Sequence, residues 1–348
     1  MVSPPVDVAI LGASGYTGAE LLRLLSAHPF VNVTFLGAHD SAGQKVGEVF
    51  PHLDPFAHRT LEPLDAIDAD ATPFAFTALP AGMAAHLVPG LLDAGARVAD
   101  LSGDFRLPAS DYPYWYGFDH PADAWLDKAA YGLTELNRTQ VADAALVANP
   151  GCYPTPVILG LAPLLTGGLV APAPIIVDGK SGISGAGKKP TPRSHFASLD
   201  GSVQAYRVGR HQHTPEMEHA LAGVGGEDVS VTFVPHLVPA VRGIVTTTYA
   251  RLTAGADADD LRDALQNAYE GEPFVRVLGP DQVPDPKRLT GSNVCELGVA
   301  TDPRSNTAIL IGAIDNLGKG AAGQAVQNLN VMLGIDETTG LSSVGVYP

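Results

Sequence analysis

Val6–Leu11 is a short, mostly apolar run that ends at Gly12, and Gly18–Ala27 carries Leu21, Leu22, Leu24 and Leu25 at helical spacing. Val31–Leu36 is β-branched and aromatic. Strand, glycine turn, helix and strand in that order spell the parallel β-α-β unit. Phe74–Leu79, Arg97–Leu101 and Ala144–Ala148 read as further buried strands, with Ala84–Leu92 as a crossover helix. The first half is therefore predicted to be α/β, a Rossmann-type doubly wound parallel sheet. Beyond Cys152 strands follow one another with fewer helices between them: Ile175–Asp178, Val229–Val234, Ile244–Leu252, Cys295–Ala300 and Thr307–Ile314. That texture predicts a second, α+β domain with a mixed sheet. A last helix, Ala321–Leu333, has small or apolar residues at Ala322, Ala325, Val326, Leu329, Met332 and Leu333, a stripe suited to packing back on the first domain.

Composition narrows the chemistry. The 348 residues carry 21 basic and 37 acidic side chains, a formal charge of -16. Such a balance offers no basic surface for nucleic acid or anionic membrane, so neither is expected as a partner. The most apolar stretch, Gly160–Val177, is interrupted by Pro163, Thr166, Gly167, Gly168, Pro172 and Pro174, which argues against a membrane span. Met1-Val2-Ser3-Pro4-Pro5 lacks the features of an export signal, so a reducing, cytoplasmic setting is expected. There Cys152 and Cys295 are more readily chemical or simply buried than joined.

Gly12-Ala13-Ser14-Gly15-Tyr16-Thr17-Gly18 lies between the first strand and the first helix. Glycines there let the backbone approach a pyrophosphate, and unpaired helix N–H groups face its charge. The spacing is G-x-x-G-x-x-G, and a tight β-α turn without a ligand is the alternative. A strand and a helix on the correct sides favour the nucleotide. An NAD site ends its second strand with an acid for the ribose hydroxyls, but here the strand runs into Gly37-Ala38-His39-Asp40-Ser41-Ala42-Gly43-Gln44-Lys45. His39, Ser41 and Lys45 suit a 2′-phosphate and point to NADP(H), while Asp40 opposes it.

In Asn149-Pro150-Gly151-Cys152-Tyr153-Pro154-Thr155, Pro150 stops a strand, Gly151 permits a sharp turn and Pro154 can open a helix. The Cys152 thiol then stands at a helix N-terminus, where the dipole and free N–H groups favour a thiolate and can hold an oxyanion. A small buried cysteine is the plain alternative, and for Cys295, within an apolar strand, it is the better one. Arg210-His211-Gln212-His213-Thr214-Pro215-Glu216 reads as a loop entering a helix, with Thr214 as N-cap and Pro215 at the first position. The dipole there should keep an imidazole neutral and available as a base. A zinc site using His211, His213 and His219 lacks a completing carboxylate or cysteine, and no metal is expected. Gly182-Ile183-Ser184-Gly185-Ala186-Gly187-Lys188-Lys189 nearly matches a phosphate-binding loop, but Lys189 replaces the hydroxyl residue and Pro190 blocks a helix. It remains a glycine-rich cationic loop that either borders an anionic substrate or is a plain hairpin. Arg106, after a predicted strand end, either forks onto a carboxylate or phosphate or pairs with Asp104.

Together, Gly12–Gly18, Leu101-Ser102-Gly103-Asp104-Phe105-Arg106, the Asn149–Thr155 segment, His211–Glu216 and Asn316-Leu317-Gly318-Lys319-Gly320-Ala321-Ala322-Gly323-Gln324-Ala325 resemble the N-acetyl-γ-glutamyl-phosphate reductase family. The resemblance runs nearly end to end. The nucleotide loop is shared with aspartate-semialdehyde dehydrogenases; the cysteine segment with His-x-His-x-Pro-Glu is specific to the reductases. The resemblance implies an oxidoreductase of arginine biosynthesis that uses NADPH and a cysteine thioester to reduce a small-molecule acyl phosphate, N-acetylglutamyl phosphate, to its semialdehyde. It makes Cys152 the acylated nucleophile, with His211 and His213 as base and oxyanion partner in either order. It assigns Gly12, Ser14, Gly15, Tyr16, Thr17 and Gly18 to the pyrophosphate, Ser41 to the adenosine end and Leu79 and Pro80 to the length of the cofactor. Asn316, Lys319 and Gly320 fall to the nicotinamide, and Arg106, Asn149, Ser181, Ser184 and Tyr206 become candidates for substrate contact. Two residues depart from the pattern: Pro156, where a small residue is expected, and Asp40. The implied organisation is a dinucleotide-binding domain of 1–149 with 317–348, and a catalytic, substrate and oligomerisation domain of 150–316, assembled as a homodimer or homotetramer. Aspartyl or aminoadipyl phosphate as substrate, and an NADP-binding sensor with an inert cysteine, are the competing readings.

Overall fold

A computed structural model describes residues 5–225, 229–253 and 255–348. Met1–Pro4, part of the stretch read above as lacking an export signal, lie outside them. The chain forms two compact units, one of Met1–Pro150 with Ala321–Leu341 and one of Gly151–Gly320 with Ser342–Pro348. Among the described residues no helix is long and apolar enough to cross a membrane.

The first unit is built on seven strands, β1 (Val6–Leu11), β2 (Val31–Ala38), β3 (Glu62–Pro63), β4 (Phe74–Thr77), β5 (Arg97–Asp100), β6 (Ala130–Tyr131) and β7 (Leu146–Ala148). They lie in the order β3-β2-β1-β4-β5-β7-β6, and every pairing is parallel. Alternate residues of β1 face opposite sides. Val8 and Ile10 pack with Leu21 and Leu22 of the helix Tyr16–Leu25 and with Val326 and Leu329 of the helix Gly323–Met332. Ala9 and Leu11 pack on the other side with Val88 and Leu91 of the helix Ala84–Asp93. Coverage of both faces explains the continuous apolar runs that made these strands legible. β1 pairs with β2 on one edge and β4 on the other, so the strand order reverses around it, and ligands of open α/β sheets gather beyond the carboxyl end of such a strand.

The second unit holds β8 (Val170–Ser181), β9 (Gln204–Ala205), β10 (Val231–Leu237), β11 (Ile244–Leu252), β12 (Val275–Val277), β13 (Cys295–Asp302) and β14 (Thr307–Ile314). Their order is β12-β13-β14-β11-β8-β10-β9. β8 runs parallel to β10 and antiparallel to β11, so the sheet is mixed. The helix Pro154–Thr166 covers its inner face, where Gly160 lies against Leu297 and Leu310. Pro156, the departure noted above, is accommodated by Gly312: a Cβ there would come within 2.8 Å of the proline ring. Its missing N–H falls in the first helical turn, where no intrahelical partner exists. The last residues join this unit through backbone, as Asn293 N–H donates to Ser342 and Val346 N–H to Thr290.

One local expectation is corrected. The helix expected to open after a Thr214 cap begins at His213, because Thr214 N–H already donates to the His211 carbonyl (2.9 Å) and the chain is turning one residue earlier.

Candidate active site

In the first unit, the three glycines of the turn after β1 have different reasons. Gly12 has φ +97°, and a Cβ on it would stand 2.2 Å from the Ala78 carbonyl oxygen. On Gly18 a Cβ would stand 2.4 Å from the Gly12 oxygen. Gly15 has neither constraint: its φ is -85°, and a Cβ would meet only the Gly12 oxygen, at 3.5 Å. It is the N-cap of Tyr16–Leu25 and no side chain caps that helix. Open space over uncapped N–H groups is a cradle that fits a pyrophosphate. Ser14 and Thr17 are half-buried and Tyr16 is exposed around it. A cavity of about 450 Å³ lies where β2 ends, lined by Ala38, His39, Leu64, Met83, His86 and Leu87, and it suits an adenosine. Asp40 stands two residues past the end of β2, its carboxylate 2.7 Å from His39 Nδ1. Ser41 is half-buried, Leu79 buried and Pro80 exposed.

Beyond β5, Asp104 accepts hydrogen bonds from Gly82 N–H (2.8 Å) and Ala85 N–H (3.0 Å), fixing the start of the helix Ala84–Asp93. The Arg106 guanidinium donates to the Leu101 carbonyl (3.1 Å), and its charge acts on Asp100, whose carboxyl is pushed up to about 6 by burial and by the charge of Asp104. Asn149 is fully buried, donating to the Ala321 carbonyl (3.2 Å) and accepting from Asn328 (2.9 Å). Its amide ties β7 to the returning helix.

The second unit assembles the nucleophile. Cys152 is half-buried and precedes Tyr153, the N-cap of Pro154–Thr166, as the flanking prolines require. Around it His211 and His213 are both buried, their ring centroids 4.6 Å apart and each 6.0 Å from the Tyr153 ring. Tyr206 and Phe233 complete an aromatic box around His211, at 5.5 and 5.2 Å. His211 Nδ1 accepts from His213 N–H (3.2 Å), which in the neutral ring leaves the proton on Nε2. Burial, then the charges of His213 and Arg207, depress His211 to about 2. The ring is neutral, as the sequence suggested, but burial rather than the helix dipole is the main cause. Burial also pushes Tyr206 up to about 12, and the charge of Cys152 adds to the shift.

His213 Nε2 packs on Gly151, where a Cβ would lie 2.5 Å away, and Glu216 Oε1 accepts from Gly151 N–H (2.7 Å). Glu216, 1% exposed, is the side chain that sequence reasoning did not place in the site. Its signal was available: three residues after His213 in one helix, the two share a face. Gly320 abuts the nucleophile, since its Cβ would be 3.0 Å from that of Cys152. Ser181 is buried and acts electrostatically on Tyr153, its own hydroxyl donating to the Gly182 carbonyl (2.9 Å). The amide of Asn316 is engaged at both ends, accepting from Gly243 N–H (2.7 Å) and donating to Ser184 Oγ (3.0 Å). Lys319 is fully buried, with Nζ 5.8 Å from the centre of the Phe274 ring. Of the candidates, Cys152, His211, His213, Tyr206, Ser181 and Gly320 thus gather around the thiol, whereas Asn316 and Lys319 brace the unit. Cys295 is buried at the start of β13. Among the described residues no group of three or more histidine, cysteine or acidic side chains is arranged to hold a metal ion.

Comparison with known proteins agrees with both units. The family described as "Semialdehyde dehydrogenase, NAD binding domain" matches residues 7–144, and "Semialdehyde dehydrogenase, dimerisation domain" matches residues 152–316. The aspartate semialdehyde dehydrogenase II of Vibrio cholerae, in complex with ASA, has the same fold at a TM-score of 0.73 and 20% identity, covering 95% of this chain and 99% of that one. An N-acetyl-gamma-glutamyl-phosphate reductase of Magnetococcus marinus is 48% identical over 98% of both chains. That of Desulforudis audaxviator is 47% identical over 99% of this chain and 100% of its own. With relatives this similar over nearly its whole length, the chain belongs to the N-acetyl-gamma-glutamyl-phosphate reductase family.

Proposed function

We propose that the chain reduces N-acetylglutamyl phosphate to N-acetylglutamate semialdehyde with NADPH, through a thioester on Cys152. The observation that carries this reading is a half-exposed thiol at the N-terminus of the helix Pro154–Thr166, with His213 Nε2 packed on the residue before it. The thiolate attacks the acyl carbon, a C–S bond forms, and the C–O bond to phosphate breaks. A nicotinamide cofactor, when bound, supplies the hydride that reduces the thioester. Helix N–H groups at Cys152 and the Nε2–H of neutral His211 steady the oxygen as it gains charge. His213 exchanges the proton as the C–S bond breaks, aldehyde leaves and thiolate returns. Glu216 holds Gly151 N–H and so fixes the backbone under the nucleophile.

NADP(H) is favoured over NAD(H) because β2 ends in Ala38 without a carboxylate, and Asp40 is drawn to His39. Comparing kcat/KM for NADPH and NADH tests this; preference for NADH overturns it. We assign the homo-oligomer contact to the outer face of the second sheet, a reading supported by Ile176 and Tyr249, which pair across β8 and β11 and are 46% and 38% exposed. A monomeric mass by light scattering overturns that assignment. Cys152 just ahead of the helix Pro154–Thr166 and Cys295 buried in β13 suit a reducing compartment and support the cytoplasmic reading.

The central test is Cys152→Ser. The variant should bind NADPH as wild type does and lose reduction, while wild type given acyl phosphate without cofactor should carry the acyl group on the Cys152 peptide by mass spectrometry. Turnover retained by Cys152→Ser removes the thioester. Comparing the N-acetylglutamyl, aspartyl and aminoadipyl semialdehydes in the reverse reaction separates the competing substrates.

A further inference from the structure

Residues 182–212 leave the second sheet after β8 beside the nucleophile, rejoin its edge as β9 and run on into the helix that begins at His213. At the departing end, Ser181 closes β8 with its hydroxyl donating to the Gly182 carbonyl (2.9 Å), and Ser184 accepts from Asn316. At the returning end, Tyr206 and His211 form the aromatic box next to Cys152. Between these anchors Lys188, Lys189 and Arg193 are exposed. The segment carries five basic side chains, Lys188, Lys189, Arg193, Arg207 and Arg210, and a single acid, Asp200, in a chain of formal charge -16.

An acyl phosphate with a free carboxylate carries negative charge at both ends, and a strongly acidic protein repels it at long range. A local reversal of potential raises the concentration of such a substrate at its target. The strap is anchored at both ends beside the thiol, and at its returning end Arg207, outside the three strap cations, acts on both His211 and Tyr206. We propose that Lys188, Lys189 and Arg193 form a cationic strap that recruits the anionic acyl phosphate to Cys152. The identity of the anion rests on the reductase reading; the preference for anions at the thiol does not.

The triple variant Lys188→Gln, Lys189→Gln, Arg193→Gln tests both levels. Cys152 is alkylated with iodoacetate and, separately, with the neutral iodoacetamide; Cys295 is buried and does not compete. The ratio of the two rates reads local potential and cancels any change in thiol reactivity. It should fall about tenfold at low ionic strength. The difference from wild type should close near ~1 M salt, where the screening length is about 3 Å. Lys189→Glu alone should move the ratio the same way. In steady state kcat/KM for the acyl phosphate should fall about tenfold, with most of the change in KM. A ratio identical in wild type and triple variant overturns the strap. A ratio that falls in a protein whose wild type does not reduce N-acetylglutamyl phosphate sustains the strap and overturns the reductase reading.

Discussion

The turn after β1 allows ligand binding and folding to be perturbed separately. At Gly15 a Cβ meets only the Gly12 oxygen at 3.5 Å, an ordinary contact, and φ is -85°. Serine is preferred over glycine at an N-cap by a few tenths of a kcal/mol, so Gly15→Ser should hold or slightly raise the stability of the unliganded protein. For a unit of this size that is a rise in Tm of less than about 2 °C. Gly18→Ala is the opposite case. Its Cβ would stand 2.4 Å from the Gly12 oxygen and 2.7 Å from Ala13 Cα, both backbone. Overpacking costs roughly 1–3 kcal/mol, enough to overwhelm the ~1 kcal/mol that alanine gains over glycine in a helix. If a pyrophosphate occupies the space over Gly15, the serine side chain displaces it from at least one charge-assisted hydrogen bond of about 1.5–3 kcal/mol. The Kd for NADPH then rises about 10- to 150-fold. Fluorescence titration with NADPH and thermal unfolding without it measure the two effects independently. Gly15→Ser with wild-type Tm and wild-type Kd refutes the assignment of that open space to the cofactor.

Two further perturbations act in the second unit. Gly151→Ala places a methyl 2.5 Å from His213 Nε2 and 2.9 Å from Glu216 Oε2, so kcat should fall about 100-fold with NADPH binding unchanged; a wild-type kcat contradicts the packing. His211 stays neutral in the folded state down to about 2, while its unfolded imidazole takes up a proton below 6.5. The unfolded state therefore binds more protons in that window, and stability falls as pH drops through it. Between pH 7.5 and 5.0 this one group removes about 2 kcal/mol. Urea denaturation at the two pH values should show His211→Gln losing about 2 kcal/mol less than wild type; equal losses exclude a buried neutral ring.

The first sheet was legible because its strands are covered on both faces, so burial writes itself as unbroken apolar runs between glycine turns. β8 was harder. Only Ile175–Asp178 stood out in a strand that spans Val170–Ser181, since Pro172 and Pro174 interrupt the pattern and Ile176 and Lys180 lie on the face not covered by helices. Ser342–Pro348 joins the second unit through main-chain hydrogen bonds at Thr290 and Asn293, which leave no side-chain signature. At the site, the position of Cys152 could be read from Pro150, Gly151 and Pro154 because proline and glycine constrain the backbone locally. The neutrality of His211 was legible but its main cause was not. A helix dipole can be inferred from neighbouring residues, whereas burial of this ring depends on Tyr153, Tyr206 and Phe233, and no local rule brings the first and last of these together.

Glycine shows most clearly where sequence reading stops. Gly12, Gly15, Gly18, Gly151 and Gly320 are the same letter with distinct physical reasons. Gly12 adopts a backbone conformation that L residues avoid, and Gly18 admits a neighbouring backbone segment. Gly151 and Gly320 make room for chemistry, one for the His213 imidazole and the other for Cys152, which a Cβ would approach to 3.0 Å. Neither gap is readily recovered by a rotamer change, because His213 is hemmed by the rings of His211 and Tyr153 and the neighbour of Gly320 is the Cβ and Cα of the nucleophile itself. Gly15 alone is required by nothing in the folded chain, and a residue type that costs backbone entropy without a structural return is best explained by what binds there.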